Sequence, residues 1–329
     1  MMPTISRSAQ VLRLLLEAKG PRSGEEMGES LGCSRAAVGK TVSVLRQQGF
    51  DIQARSNQGY TLLSEPKDLL DVRVEARLEP DSLGIPFLHF QELDSTNLEA
   101  RRQAEAGAPH GACLAAEHQS AGRGRLDRRW LAPKGACLLF SLILRPQLHL
   151  DQVFGLTSLA ALAVCRALEG LSDLKPLIKW PNDVFLDGKK LAGILTEFTS
   201  RAENLEFVGV GVGLTVNLTG GQLAKLPAPA ASLKAATGKP WDRAVLLARI
   251  LSEASRLYGR AAPHALPDMT AEYAARSLLA GRQVTVRDGD QVLNGIARGI
   301  DESGALLLEE SPGRIRVIRH GDVSVISKI

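Results

Sequence analysis

The chain has 329 residues, with 40 lysines and arginines against 36 aspartates and glutamates and a formal net charge of +4. That length allows two or three domains with at least one sizeable core, and 44% hydrophobic with 23% charged residues is ordinary for a soluble globular protein. The charge is too small to demand a nucleic-acid partner, and no membrane association is expected, because the densest apolar run, Leu138 to Leu144, is strand-sized beside the roughly 20 residues of a span.

From the N-terminus, Ser8 to Ala18 places Val11, Leu12, Leu15 and Leu16 on one face of a short helix. Ser23-Gly24-Glu25-Glu26 reads as a capping box opening a second helix that runs to Leu31. Gly32-Cys33 makes a tight turn, and Ser34 caps a third helix ended by Gly49, with Val38, Val42 and Leu45 facing inward and Arg35, Lys40 and Arg46 among its basic residues. Two helices joined by a short glycine turn form a helix-turn-helix. Asp51 to Arg55, a turn at Ser56-Asn57-Gln58-Gly59, and Tyr60 to Leu63 add a hairpin, the wing of a winged helix. A recognition helix reads DNA through its first turns, here Ser34, Arg35 and Ala37, followed by Lys40, while Arg55 on the wing meets a phosphate. A helical protein-docking domain is the bland alternative; the order of capped helices, turn and hairpin favours DNA.

After a break at Glu65-Pro66, the middle of the chain mixes helical and strand periodicities. A strand from Ala112 to Glu117 leads into Gln119-Ser120-Ala121-Gly122-Arg123-Gly124-Arg125-Leu126-Asp127-Arg128-Arg129-Trp130. Glycines interleaved with arginines suit a loop whose amides and guanidinium groups surround an anion; the alternative is a flexible basic surface loop. Lys179-Trp180-Pro181-Asn182-Asp183 is followed by two apolar runs around Asp187-Gly188, a strong hairpin signal. Strand alternation puts Lys190 on one face with Ala192 and Ile194, beside the small residues Ala192 and Gly193, so the lysine points into a pocket or, on the bland reading, into solvent. Phe207 to Asn217 carries glycine at every second position, Gly209, Gly211 and Gly213, which bares one face to a flat ligand or a neighbouring backbone. A dinucleotide fingerprint is rejected there, since the helix and later acidic residue it needs are missing.

The last segment reads as short strands separated by turns: Gln283 to Arg287, Val292 to Arg298, Ala305 to Glu309, Ile315 to Arg319 and Val323 to Ile326, a small β-barrel pattern. The expected organisation is α+β and multidomain: a winged helix-turn-helix over residues 1–66, a mixed α/β domain built on a β-sheet over 67–279, and a small barrel over 280–329. Four cysteines (Cys33, Cys113, Cys137, Cys165) without a CxxC pair argue against zinc and a disulfide framework. With no charged-then-apolar leader, they point to a reducing cytoplasm.

Asp94-Ser95-Thr96-Asn97, Gln119 through Trp130, and Lys179 to Leu195 with its KWPND and KKLAGIL runs together resemble the biotin–protein ligase family. The three-part arrangement is similar to its bifunctional members that also repress the biotin operon, whose terminal barrel is SH3-like. The resemblance implies a carbon–nitrogen ligase that joins biotin and ATP, with Mg2+, into biotinyl-adenylate and then biotinylates a lysine of a biotin carboxyl carrier protein. It further implies a biotin-responsive repressor that forms a homodimer in the adenylate-bound state and binds operator DNA. By the family's pattern Lys190 neutralises the carboxylate and bridging phosphate oxygen, Arg123 and Arg125 fold over the intermediate, and Arg128 sits near the phosphates. Ser95, Thr96, Asn97 and Gln119 hold the biotin ring, joined by Gly122 and Gly124 of the loop. Trp130, Lys179, Asn182 and Asn217 belong to the adenylate site; Asp183 is the candidate to orient or deprotonate the acceptor lysine, the alternative being a structural role capping the turn after Pro181. No protein metal ligand is assigned. The chain departs from the family at Asp127, usually glycine, and at Thr215, usually asparagine. Rival readings are a biotin-sensing transcription factor without turnover, a lipoate-type ligase or octanoyl transferase, and a docking module without catalysis.

Overall fold

The computed structural model describes residues 5–126, 128–201, 204–259, 266 and 268–326. The N-terminal unit is α1 (Arg7–Glu17), α2 (Gly24–Ser30) and α3 (Arg35–Gln47), followed by the hairpin β1 (Asp51–Arg55) and β2 (Gly59–Ser64). Serines open all three helices: the hydroxyls of Ser6, Ser23 and Ser34 accept from the amides of Ala9, Glu25 and Ala37, each satisfying an otherwise orphaned donor. Ser23 caps alone, without the reciprocal bond expected from Glu26. Val38, Val42 and Leu45 are buried against Val11, Leu12 and Leu15.

Next come α4 (Asp71–Glu75), β3 (Phe87–Phe90), α5 (Thr96–Glu105), β4 (Cys113–Ala116), β5 (Cys137–Leu144) and α6 (Gly155–Leu171). They are followed by β6 (Leu177–Lys179), β7 (Asp183–Leu186), β8 (Lys189–Arg201) and β9 (Asn204–Thr215), then α7 (Gly220–Leu223), α8 (Leu233–Thr237), α9 (Arg243–Gly259) and α10 (Thr270–Arg276). Seven strands form one sheet in the order β3-β4-β5-β9-β8-β7-β6, parallel between β3 and β4 and antiparallel elsewhere. The helix α6, paired with α9, packs on one face and α5 on the other. Leu150–Leu171 is long and apolar enough to resemble a membrane span, an apolar stretch that a count of consecutive hydrophobic residues passes over, but 78% of its apolar 18-residue window is buried in the protein. It is a core helix.

Alternation along β9 explains why the sheet has a packed side and a bare side. Val208, Val210, Val212 and Leu214 join the main core, while Gly209, Gly211 and Gly213 leave the α5 side without side chains. The C-terminal strands β10 (Gln283–Asp288), β11 (Gln291–Ile300), β12 (Leu306–Ser311), β13 (Arg314–Ile318) and β14 (Asp322–Val325) form a five-stranded antiparallel sheet in the order β13-β12-β11-β10-β14.

Candidate active site

On the glycine-bare side of the sheet lies a cavity of about 450 Å³. Its lining gathers segments far apart in sequence: Ser95 to Asn97 at the start of α5, the arginine-rich loop, Lys179 to Asp183, Lys190 to Leu195, and the β9 glycines.

The glycine face is filled by two side chains of the protein itself. A Cβ on Gly211 would collide with the Asn97 carboxamide, and one on Gly213 would lie 2.5 Å from the Trp130 indole. The flat group that the bare strand suits is therefore, in the free protein, an indole. Its Nε1 is buried without a hydrogen-bond partner, an orphan donor at the cavity wall.

Asp187-Gly188 makes the expected tight turn, both residues having positive φ (50° and 73°) as a type I′ hairpin requires. The alternation beyond it differs from expectation. Phe185 pairs with Lys190 and Val184 with Ala192, so Leu191 is a bulge, and Leu191 and Ala192 are both buried. The extra residue swaps faces. Lys190 consequently stands over Gly193, whose Cβ position is 3.2 Å from the Lys190 ammonium, rather than sharing a face with Ala192 and Ile194. Lys190 Nζ lies 2.6 Å from Asp183 Oδ1 and 5.6 Å from the Trp130 ring centroid, a cation–π approach. The outcome, a lysine in a pocket, is as expected; the register that produces it is not.

The arginine-rich segment is itself a small hairpin. Gly124 and Trp130 donate backbone hydrogen bonds to Arg128 and Gly122, and Arg123 bridges Arg129. Gly122 is required by close packing, since a Cβ there would sit 2.6 Å from the Trp130 carbonyl. Arg125 reaches Asn182 Oδ1 at 3.4 Å, the Gly321 carbonyl at 3.2 Å and Asp322 at 3.8 Å; Arg128 pairs with Asp322, and Arg123 with Glu197 at 3.1 Å. Burial pulls the Arg125 guanidinium below its ordinary value, only partly offset by Asp322 and Asp183. The Asp127 departure lies outside the described residues.

At the other end, Gln119 Oε1 accepts from the Thr96 amide and hydroxyl (2.7 and 3.0 Å). Ser141, which sequence reasoning missed, donates toward both Thr96 and Asn97. The Asn97 amide reaches Leu195 O and Glu197, and Ser95 is buried beside them. Lys179 and Asn182 line the cavity, Asn182 held by the Ile194 carbonyl at 2.8 Å; buried Thr215 lines it too. Among the described residues, six lysine and arginine side chains face two aspartates around this space.

Asn217 is not among the described residues that line the cavity. Its carboxamide accepts from the Trp241 amide (2.8 Å) and donates to the Trp241 carbonyl (2.9 Å). An asparagine following a ligand-facing strand has no local mark that separates the two roles. Also unforeseen were Leu226 to Ala230, a loop that walls the cavity and pairs with Lys190, and Asp322 and Val323 from the C-terminal sheet.

On the winged helix, Arg35, Lys40 and Arg55 are exposed and Ala37 half-buried. The Ser34 hydroxyl is occupied in capping. Arg46 is committed to the Ile52 carbonyl, bracing the wing against α3.

The family model "Biotin/lipoate A/B protein ligase family" matches residues 88–215, an HTH domain matches 7–61, and a biotin protein ligase C-terminal domain matches 280–326. The bifunctional ligase/repressor BirA of Bacillus subtilis is 34% identical over 304 residues, covering 92% of this chain and 93% of the relative. This chain belongs to the bifunctional biotin–protein ligase/repressor family. The BirA of Escherichia coli is 32% identical over 309 residues, with 93% of each chain covered. Among solved structures, the biotin protein ligase of Aquifex aeolicus in complex with biotin and ATP has a TM-score of 0.59 at 28% identity, covering 74% of this chain and 99% of its own.

Proposed function

We propose that the chain is an ATP-dependent biotin–protein ligase that also acts as a biotin-responsive transcriptional repressor. The observation that carries the ligase reading is the convergence of Lys190 and the arginine hairpin on one small, cation-rich cavity beside an indole wall.

The biotin carboxylate attacks the ATP α-phosphate, forming biotinyl-adenylate and releasing pyrophosphate. Two anions must approach, and preorganised cations in a confined site offset their repulsion at little reorganisation cost. Lys190 is assigned to the carboxylate and bridging oxygen, Arg125 and Arg123 to the intermediate, and Arg128 to the phosphates, with Lys179, Asn182 and Trp130 completing the nucleotide side. Ser95, Thr96, Asn97 and Gln119 take the ring end; each of their unmet polar groups would otherwise cost about 1–3 kcal/mol. The arginine hairpin exchanges Asp322 and Glu197 for the ligand and excludes water from the mixed anhydride.

In the second step a neutral acceptor amine attacks the acyl carbon and AMP leaves. Asp183, already 2.6 Å from Lys190, is assigned the proton of the incoming ammonium. Magnesium enters with the triphosphate as part of the substrate. Among the described residues, Asp183 and Asp322 are the carboxylates on the cavity wall, each engaged with a cation, so phosphates and water supply most of its ligands.

For repression, Ser34, Arg35, Ala37 and Lys40 on α3 face the groove and Arg55 a phosphate, and ligand-driven homodimerisation sets two such units on two half-sites. We divide the chain at 66/67 and 279/280 and read the C-terminal sheet as an SH3-like barrel, since bulges near Ala297 and Glu309 curl its strands. The four unpaired cysteines suit the cytoplasm. Incubation with ATP, biotin and a carrier-protein domain tests the ligase: mass measurement should find one biotinyl group on an acceptor lysine, while lipoate in place of biotin leaves the acceptor unmodified. An unchanged acceptor mass with biotin overturns the assignment.

A further inference from the structure

Where the winged helix meets the ligase domain, the structure spends more buried charge than a tether needs. Arg73 on α4 is 2% exposed. Its Nε donates to Glu65 at 3.1 Å, at the exit from the wing, and its two terminal nitrogens donate to both oxygens of Asp242 at 3.2 and 2.6 Å. Glu65 is held a second time by Arg77 at 2.6 Å. Asp242 in turn accepts from the amides of Ala244 and Val245 at the start of α9, a core helix of the ligase domain.

From the other side, the Ser6 hydroxyl, at the cap of α1, donates to Glu75 on α4 at 2.7 Å, and Arg13 on α1 donates to the carbonyls of Glu75, Ala76 and Leu78. Leu69, Val72 and Val74 continue the hydrophobic core of the winged helix into that of the ligase domain. A flexible connection would show few contacts and an exposed, polar linker; this one is buried, bidentate and apolar.

We propose that the Glu65–Arg73–Asp242 clamp is a positioning device that fixes the angle between the recognition helix α3 and the ligase body, and thereby sets the half-site separation a dimer accepts. This consequence for DNA rests on the repressor reading above; the clamp itself does not. Asp242 follows Trp241, whose backbone is held by Asn217, two residues from cavity-lining Thr215. The clamp is thus built on the same strand end as the ligand site.

The test uses the full chain in a Cys33→Ser background, spin-labelled at Lys40→Cys and Lys175→Cys, two exposed positions on α3 and on the ligase body. The parent should give one narrow distance distribution. Arg73→Met, and Asp242→Asn, which keeps the α9 cap, should broaden it. An unchanged distribution in both variants overturns the clamp.

Operator affinity of the unlabelled chain, with Lys40 intact, and of its Arg73→Met and Asp242→Asn variants is then measured with biotin and ATP over inverted repeats of varied spacing. The parent should prefer one spacing by about tenfold or more over a separation changed by two base pairs, and both variants should flatten that preference to about twofold while retaining parental ligase kinetics. A uniform loss of affinity with the spacing preference intact makes the residues merely structural and overturns the proposal. A parent that ignores every operator overturns the repressor reading instead, while the spin-label distances still decide the clamp.

Discussion

Two sets of arginines in this molecule do opposite work. Arg73 and Arg243 are buried and fully matched: Arg243 forks onto both oxygens of Glu117 at 2.7 and 3.1 Å, as Arg73 does onto Asp242. Arg123, Arg125 and Arg128 are more open, Arg125 reaching its partners only at 3.2 to 3.8 Å and Arg123 and Arg128 each holding a part-exposed carboxylate at the cavity edge. A bidentate buried pair is saturated and holds structure. A cation at the cavity edge whose carboxylate partner can be exchanged, as Arg128 with Asp322 or Lys190 with Asp183, is available to an incoming anion. Availability, rather than residue type, separates the chemistry from the scaffold.

That distinction can be broken most forcefully at Lys190. Lys190→Ala should lower acceptor biotinylation by about a thousandfold, in line with losing one charge-stabilising group at a reacting centre, while the thermal midpoint stays close to the parent's. A variant that biotinylates at the parental rate would remove the lysine from the available set.

On the saturated side, Arg243→Met should cost stability rather than catalysis, about 3–5 kcal/mol in denaturant unfolding, because buried Glu117 loses its cationic partner and keeps only the His89 contact. The same pair carries a pH signature. Burial would raise the Glu117 carboxyl, but hydrogen bonds from His89 and Arg243 outweigh it and hold the group at about 2 against an ordinary 4.5. A depressed acid stabilises the fold above its unfolded value and loses that contribution as pH falls toward the folded one. Glu117→Gln should therefore be weaker than the parent at neutral pH, with the gap closing as pH falls from 4.5 toward 2. A gap independent of pH would show that the pair does not act through charge.

A smaller effect sharpens the loop assignment. Arg125→Ala should speed biotinyl-adenylate release about tenfold, equivalent to roughly 1.4 kcal/mol, and leave biotin affinity nearly unaltered. Smallest is Asn217→Ala: if its carboxamide serves Trp241, stability drops by about 1 kcal/mol for the lost hydrogen bonds and the KM for ATP is unmoved. A raised KM with unchanged stability would return Asn217 to the nucleotide site.

What the sequence carries and what it hides follow the same physics. Local signals survive: Ser23 and Ser34 as caps, Asp187-Gly188 as a turn, and β9 with one bare face are all set by near neighbours, while the Ser6 cap, two residues ahead of the expected helix start, goes unread. The KWPND and GRGR runs mark the site because their chemistry is concentrated in a few adjacent residues. The Leu191 bulge is invisible because alternation assumes perfect pairing, and one extra residue decides which face Lys190 takes. Ser141, Leu226 to Ala230 and Asp322 enter the site only through tertiary packing of distant segments. Asn217 is equally hidden, a polar side chain beside the site whose carboxamide is held by the backbone of Trp241.

The central claim, that available cations around one cavity join two repelling anions, is tested most directly by counting pyrophosphate after mixing the protein with biotin and ATP and no acceptor. The account predicts a rapid, biotin-dependent release of one equivalent per chain, held there until acceptor is added. No biotin-dependent pyrophosphate, or an equal amount without biotin, would contradict it.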